Sequence, residues 1–183
     1  MRHFCLALLI AFGLFGTPAF ADELDRFIGT FVGVTEVFDG EGHKAGDRDV
    51  DMIIEKAKNR GFTIKLVSVA LVDGRRDLPG VRHRTYSATF EPSDTDGMYL
   101  AANPFNPFEE STSSEMFEGK PLEWAQLTET ALTVHTLTIL EDGRYESQVF
   151  ERAFEGDVML TFYERKLDGD LKRRTEGRMV RSD

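Results

Sequence analysis

Short alternating segments, each closed by a tight turn, constrain the fold of this chain more than any other feature. Asp-Gly or Gly-Asp pairs punctuate the sequence at Asp39-Gly40, Asp73-Gly74, Asp96-Gly97, Asp142-Gly143, Gly156-Asp157 and Asp168-Gly169. Asp-Gly accepts the positive φ angles of tight hairpin turns, and the flanking residues alternate as strands do. Consecutive hairpins form a meander, and a long meander loses its exposed edges by closing into a barrel. The sequence therefore predicts an all-β, antiparallel up-and-down barrel of eight to ten strands with short helical turns.

The predicted strands follow one another along most of the chain. They cover residues 27–38, 50–58, 62–72, 81–91, 98–102, 122–128, 131–140, 144–154, 158–166 and 171–180. A short helical turn is predicted at 22–27 and a polar loop at 40–49. Residues 103–119 interrupt the rhythm, because Pro104 and Pro107 cannot donate to a sheet ladder. This loop is expected either to cover one mouth of the barrel or to pack against its outer wall.

The N-terminus predicts export. Arg2 and His3 precede an apolar run at 4–16, and Ala19-Phe20-Ala21 forms a small-x-small cleavage site. These are the three parts of a secretory signal peptide, and the run is too short to span a membrane. We predict a signal peptide at 1–21 and a single barrel domain at 22–183, periplasmic or extracellular after cleavage near Ala21. The mature chain is then expected to lack a membrane span and, with Cys5 removed, any disulfide.

Charge and residue types narrow the function classes. Removing Arg2 with the leader leaves 21 basic and 32 acidic side chains, a formal charge of −11, which opposes nucleic acid. The mature histidines, His43, His83 and His135, are not paired at ligand spacing, and no metal or cofactor is predicted. The mature chain has neither a Gly-x-Ser-x-Gly motif nor a cysteine, so no catalytic residue is assigned. An enzyme remains a third hypothesis, which requires His83 or His135 to face a cavity beside a carboxylate.

The start of the mature chain resembles that of a lipocalin. Gly29-Thr30-Phe31 follows a short helical turn and enters the first strand, with Phe31 in the position of the tryptophan in the family's Gly-x-Trp motif. The family also places an arginine late in the chain that packs over that tryptophan, and Arg178 and Arg181 are the candidates here. The resemblance extends to the wider calycin group, which includes the ten-stranded fatty-acid-binding proteins. It implies a barrel that binds a small hydrophobic molecule in its lumen.

Five residues are predicted to contact such a ligand. In a strand at 81–91, Arg84, Tyr86 and Phe90 share one face, and the apolar members make that face the inner one. Arg84 and Tyr86 would bind a carboxylate by charge-assisted hydrogen bonds. Trp124 and Phe162 are the further candidates. The alternative places Arg84 at the rim beside an acid and the aromatic residues in a packed core.

These observations support two function classes. The first is an exported lipocalin-like protein that binds a small amphipathic or hydrophobic ligand in the barrel lumen. The second is a structural or protein-interaction module of the cell envelope with a filled barrel and no ligand. In the second case Val67, Val69 and Leu71 are expected to form an exposed apolar patch. The sequence carries no signal for an oligomeric state.

Overall fold

A computed structural model of the protein describes residues 20–102 and 120–182, which form a closed antiparallel barrel. A short helix, α1 (Phe20–Asp25), precedes the barrel, and one 3-10 turn occupies Lys58–Arg60. The first five strands are β1 (Gly29–Asp39), β2 (Lys44–Lys56), β3 (Phe62–Ala70), β4 (His83–Pro92) and β5 (Met98–Ala101). The second five are β6 (Leu122–Leu127), β7 (Ala131–Ile139), β8 (Tyr145–Glu155), β9 (Val158–Leu167) and β10 (Asp170–Arg181). Within the described ranges no helix is both long and apolar enough to cross a bilayer.

The topology is the predicted meander. Each strand pairs with its neighbours in sequence, and β1 closes the barrel by pairing with β10. The fold prediction is therefore confirmed at ten strands. The turn between β9 and β10 shows why the Asp-Gly signal works: Leu167 pairs with Asp170, so only two residues reverse the chain. Asp168 and Gly169 have φ of 48° and 87°, the left-handed pair that a tight hairpin needs.

One boundary prediction was wrong. Residues 40–49 were expected to form a polar loop, but β2 already begins at Lys44 and pairs with both β1 and β3. In this stretch the inward side chain is Arg48, opposite Thr35, and the acidic side chains on either side of it point outward. An inward polar side chain hides the apolar alternation from which strands are recognised in a sequence.

Helix α1 seals one end of the barrel. Leu24 and Phe27 are buried, and the Phe27 ring lies 5.3 Å from the ring of Phe154 on β8. The Lys56 ammonium is 2.7 Å from the Asp25 carboxylate, which ties the helix to the end of β2. The apolar core is concentrated at this closed end.

A late arginine completes the closed end. The Arg181 guanidinium lies over the Phe31 ring, 4.8 Å from its centroid. Its two terminal nitrogens donate hydrogen bonds to the carbonyl oxygens of Ile28, at 2.5 Å, and Arg26, at 3.0 Å. Arg178, the other candidate, points outward and approaches Glu155 at 3.5 Å. Arg181 therefore joins the last strand to the chain that enters the first.

Candidate functional site

The end of the barrel opposite α1 holds a cavity of about 580 Å³. The strand register decides which side chains reach it, because alternate residues of every strand face the lumen. Residues 70–72 and 80–82, from the connection between β3 and β4, complete the rim. The polar and aromatic residues that line the cavity include Arg48, Ser68, Arg82, Arg84, Tyr86, Thr136, Gln148, Phe150, Arg152, Thr161, Tyr163 and Arg173.

Arg152 forms part of the floor of this cavity. It projects inward from β8, is 0% exposed, and reaches across the lumen until its Nε lies 3.2 Å from the Sδ of Met52 on β2. Its guanidinium lies 3.9 Å from the centroid of the Phe150 ring, and one terminal nitrogen donates to the Phe150 carbonyl at 3.3 Å. Burial lowers the pKa of Arg152 to about 10, so it remains protonated at neutral pH.

Three polar atoms beside this floor have no hydrogen-bond partner. They are the second terminal nitrogen of Arg152, the Tyr86 hydroxyl and the Thr161 Oγ1, each buried in the described part of the chain. Thr161 is the cross-strand partner of Arg152, and all three residues line the cavity. Burial raises the pKa of Tyr86, so its hydroxyl stays a donor. Unpaired buried polar atoms are costly, and these three could all donate to one anionic group.

Arginines also surround the wider part of the cavity. Arg48, Arg84 and Arg173 project inward from β2, β4 and β10, and Arg82 lines the rim just before β4. Burial lowers the pKa of Arg48, and the positive charges of the other three lower it further. Among the described residues, Arg48 is the one of these four whose side chain donates hydrogen bonds. It donates to the Ser68 hydroxyl at 2.6 Å, the Ser68 carbonyl at 2.7 Å and the Arg82 carbonyl at 3.2 Å.

The inward carboxylates of the described strands are already engaged. Glu146 accepts hydrogen bonds from Arg165 at 2.8 Å and from Gln148 at 2.7 Å, while Tyr163 donates to the same glutamine. Glu123 accepts from Thr136 at 3.2 Å, and burial raises its pKa. Within the described residues neither carboxylate is ion-paired with Arg152 or with the arginines of the wider part, although the charge of Glu123 acts on Tyr86 and raises the pKa of Tyr86 further.

The lumen and the outer wall therefore differ in the sign of their charge. The whole chain has a formal charge of −10, yet its inner wall carries more guanidinium groups than carboxylates. Outside, Arg76 pairs with Asp49 at 2.6 Å and with Asp51 at 3.1 Å. A cationic lumen with low-dielectric walls attracts small anions.

The five predicted ligand residues occupy different places. Arg84 and Tyr86 line the cavity at different depths: Tyr86 lies near Arg152, and Arg84 lies among the other arginines. Phe90 faces inward but is buried in the closed-end core, stacked on Phe62 with ring centroids 5.2 Å apart. Trp124 is on the outer wall, stacked on His135 at 5.0 Å, and Phe162 also occupies an outward position of its strand.

Sequence reasoning missed Arg152, Arg48 and Arg173. A signal for the first was present, because Arg152 lies between Phe150 and Phe154 at strand spacing, a charge on an otherwise apolar face. Arg48 fell in the segment assigned to a loop. Arg173 had no local signal, because only pairing with β9 shows which face of β10 is inside.

The structure also places the residues on which the remaining sequence hypotheses depend. His83 and His135 lie on outward strand positions, so neither faces the cavity. Within the described ranges no cluster of three or more possible metal ligands occurs. Val67 is 37% exposed and Val69 only 1%, while Leu71 lines the cavity, so the three do not form one exposed patch. The predicted loop at 103–119 lies outside the described residues, as do residues 1–19.

No protein-family model matches this chain, and no curated protein matches it significantly. Among solved structures, it matches an N-terminal dehydratase from the difficidin assembly line with 8% sequence identity, covering 83% of this chain and 78% of that one. The TM-score is 0.22, which is too low to carry an argument about fold or activity.

Proposed function

We propose that this chain is an exported lipocalin-like binding protein that holds a small amphipathic anion in its barrel lumen. The anionic group lies at the floor against Arg152, Tyr86 and Thr161, and the apolar part extends toward the mouth. The observation that carries the proposal is the fully buried Arg152 guanidinium beneath the cavity, one nitrogen of which has no hydrogen-bond partner among the described residues.

The chemistry of the floor favours a carboxylate or a similar oxyanion. A buried cation without a counter-ion is unfavourable, and a bound anion removes that penalty. Arginine offers two parallel donors to one carboxylate, and such charge-assisted hydrogen bonds are the strong ones. Above the floor, Val50, Leu66, Val134 and Phe150 supply apolar wall. The volume of about 580 Å³ falls within the range of about 300–1,000 Å³ typical of small-molecule sites.

The closed end supports kinship with the calycins. The resemblance at Gly29-Thr30-Phe31 implies a late arginine that packs over the aromatic residue of this motif. Arg181 lies over Phe31 in this way and hydrogen-bonds the chain that leads into β1. Phe31 and Arg181 are far apart in the sequence, so the contact between their side chains is a second observation that supports a lipocalin-like protein.

Binding of dodecanoate and dodecanol to the purified protein, measured by isothermal titration calorimetry, tests the proposal. The two probes share a chain and differ in the head group. We expect dodecanoate to bind more tightly by about 2–5 kcal/mol, the range for a desolvated, hydrogen-bonded charge pair. Arg152→Met should bind both probes alike. Arg178→Met, which removes an outward arginine, is the matched control and should keep the preference. Equal affinity of the native protein for the two probes, or no binding of either, contradicts the proposal.

Export is tested separately. Expression of the full sequence in a Gram-negative host, followed by osmotic release and intact-mass measurement, should recover a chain that starts at Asp22. Replacing Ala19 and Ala21 by bulky residues should block processing, because the peptidase site needs small side chains. Recovery of an unprocessed chain from the cytoplasm in both cases contradicts the export proposal.

A further inference from the structure

The arginines of the wider part of the cavity are not needed to bind the single anionic group proposed at the floor. Arg48, Arg84, Arg82 and Arg173 lie close enough for their charges to act on one another. In the described part of the chain, the side chains of Arg82, Arg84 and Arg173 have no hydrogen bond and no ion pair. Arg48 and Arg173 are half-buried, whereas Arg82 and Arg84 are exposed to solvent. Water screens part of the repulsion between these like charges, and a polyvalent anion can bind in its place.

This mouth cluster, Arg48, Arg82, Arg84 and Arg173, is a built site. The Arg48 guanidinium is oriented by three hydrogen bonds, two to Ser68 and one to the Arg82 carbonyl. Arg173 is the cross-strand partner of Arg165, whose own charge is balanced by Glu146 at 2.8 Å. Among the described residues that line the cavity, Asp47 is the one with a carboxylate, and its side chain points outward and pairs with Lys44 at 2.8 Å.

The register gives the separation between the cluster and the floor. Gln148 is the cross-strand partner of Arg165, which in turn pairs with Arg173. Gln148 and Arg152 are four residues apart on β8, which corresponds to about 13 Å along an extended strand. Between these two levels lies the apolar wall of Val134 and Phe150.

We propose that the ligand carries two anionic groups, one at the floor and one in the mouth cluster, joined by an apolar chain. This inference rests on the proposed function, since it assumes the floor site. It narrows the ligand class to long-chain dicarboxylates and to carboxylates with a terminal phosphate or phosphonate. The second group binds where four guanidinium groups converge and solvent remains near, so it contributes less than the buried one.

Calorimetry with matched probes separates the two proposals. Dodecanedioate and the ω-phosphonate of dodecanoate are compared with dodecanoate on the native protein. We expect each two-headed probe to bind about 10- to 100-fold more tightly than dodecanoate, from two or three partly solvated charge-assisted hydrogen bonds. A preference for only one of them identifies the second group as carboxylate or as phosphonate. The shorter succinate should lose the gain, because its two carboxylates lie too close together to reach both sites.

Variants locate the second group. Arg84→Met and Arg173→Met should each reduce the ratio of the affinity for the two-headed probes to the affinity for dodecanoate. Arg152→Met should weaken every probe, and Arg178→Met should change none. If dodecanoate binds and neither two-headed probe binds more tightly, the second site is refuted while the floor site stands. If no probe binds, both proposals fail. The comparison of probes uses native protein alone, so a variant that misfolds does not prevent a decision.

Discussion

Arg152→Met should make the unliganded protein more stable, although it removes the residue at the centre of the proposed site. The guanidinium is fully buried, and that burial lowers its pKa to about 10, well below the ordinary value of arginine. One pKa unit corresponds to about 1.4 kcal/mol, so the charged form destabilises the folded state by about 3 kcal/mol. The variant loses the contact over the Phe150 ring, which offsets about 1–2 kcal/mol of that gain. Methionine has a similar length and fills most of the vacated volume.

The net gain in the free energy of unfolding is therefore expected to be about 1–2 kcal/mol, within the range for replacing buried charges by apolar groups. For a domain of this size that raises Tm by about 2–8 °C. The pKa of Arg152 is lower in the folded state, so the destabilisation operates wherever arginine is charged in the unfolded chain. It is therefore present in full at neutral pH and disappears only at pH values above about 10.

Urea denaturation followed by circular dichroism, without added ligand, provides the measurement. Arg165→Met is the matched control: this arginine also faces the lumen but is ion-paired with Glu146 at 2.8 Å, so its loss should leave stability equal or lower. A loss of more than about 1 kcal/mol in Arg152→Met, at an unchanged m-value, would refute the reasoning. It would show that the Arg152 guanidinium stabilises the unliganded barrel by joining its two sides, and that its burial is not a cost that a bound anion must offset.

Three further changes test other parts of the structure. Gly33→Ala should lower the free energy of unfolding, measured by urea denaturation, by about 1–3 kcal/mol, because the added Cβ would lie 2.2 Å from the backbone oxygen of Arg178. An unchanged free energy of unfolding would mean that β1 and β10 can move apart at no cost. Arg181→Met should lower the free energy of unfolding by about 1–2 kcal/mol, because it removes two hydrogen bonds and the contact with the Phe31 ring. Arg178→Met should change stability little, and equal effects of the two variants would argue against a role of Arg181 at the closed end. Burial lowers the pKa of His135, so the unfolded chain binds a proton more readily, and stability should fall as the pH is lowered through the ordinary pKa range of histidine. His135→Phe, which keeps a ring on Trp124, should flatten that decline in urea midpoints, and an unchanged slope would assign the decline to other groups.

The positions of the site residues depend on pairings that no local segment encodes. Tyr86 was expected to act with Arg84, its neighbour on the same strand face, but in the barrel it lies near Arg152, 66 positions further along the chain. Arg48 meets Arg173 only because β1 pairs with β2 on one side and with β10 on the other. Contacts of this kind arise when the meander closes, and they cannot be read from alternation within a single strand.

The sequence by itself determined the meander, since Asp-Gly turns and two-residue alternation are local properties, and they carried the prediction to a closed barrel with Arg84 and Tyr86 on its inner face. It also placed Phe31 at the start of β1, where a late arginine was expected. Tertiary structure decided which arginine met that ring, which end was sealed and which side chains shared the cavity. The physical reason is that packing between strands distant in sequence sets register and closure. This packing also decides which face of a strand points inward where the sequence shows no apolar alternation, as in the first half of Lys44–Lys56.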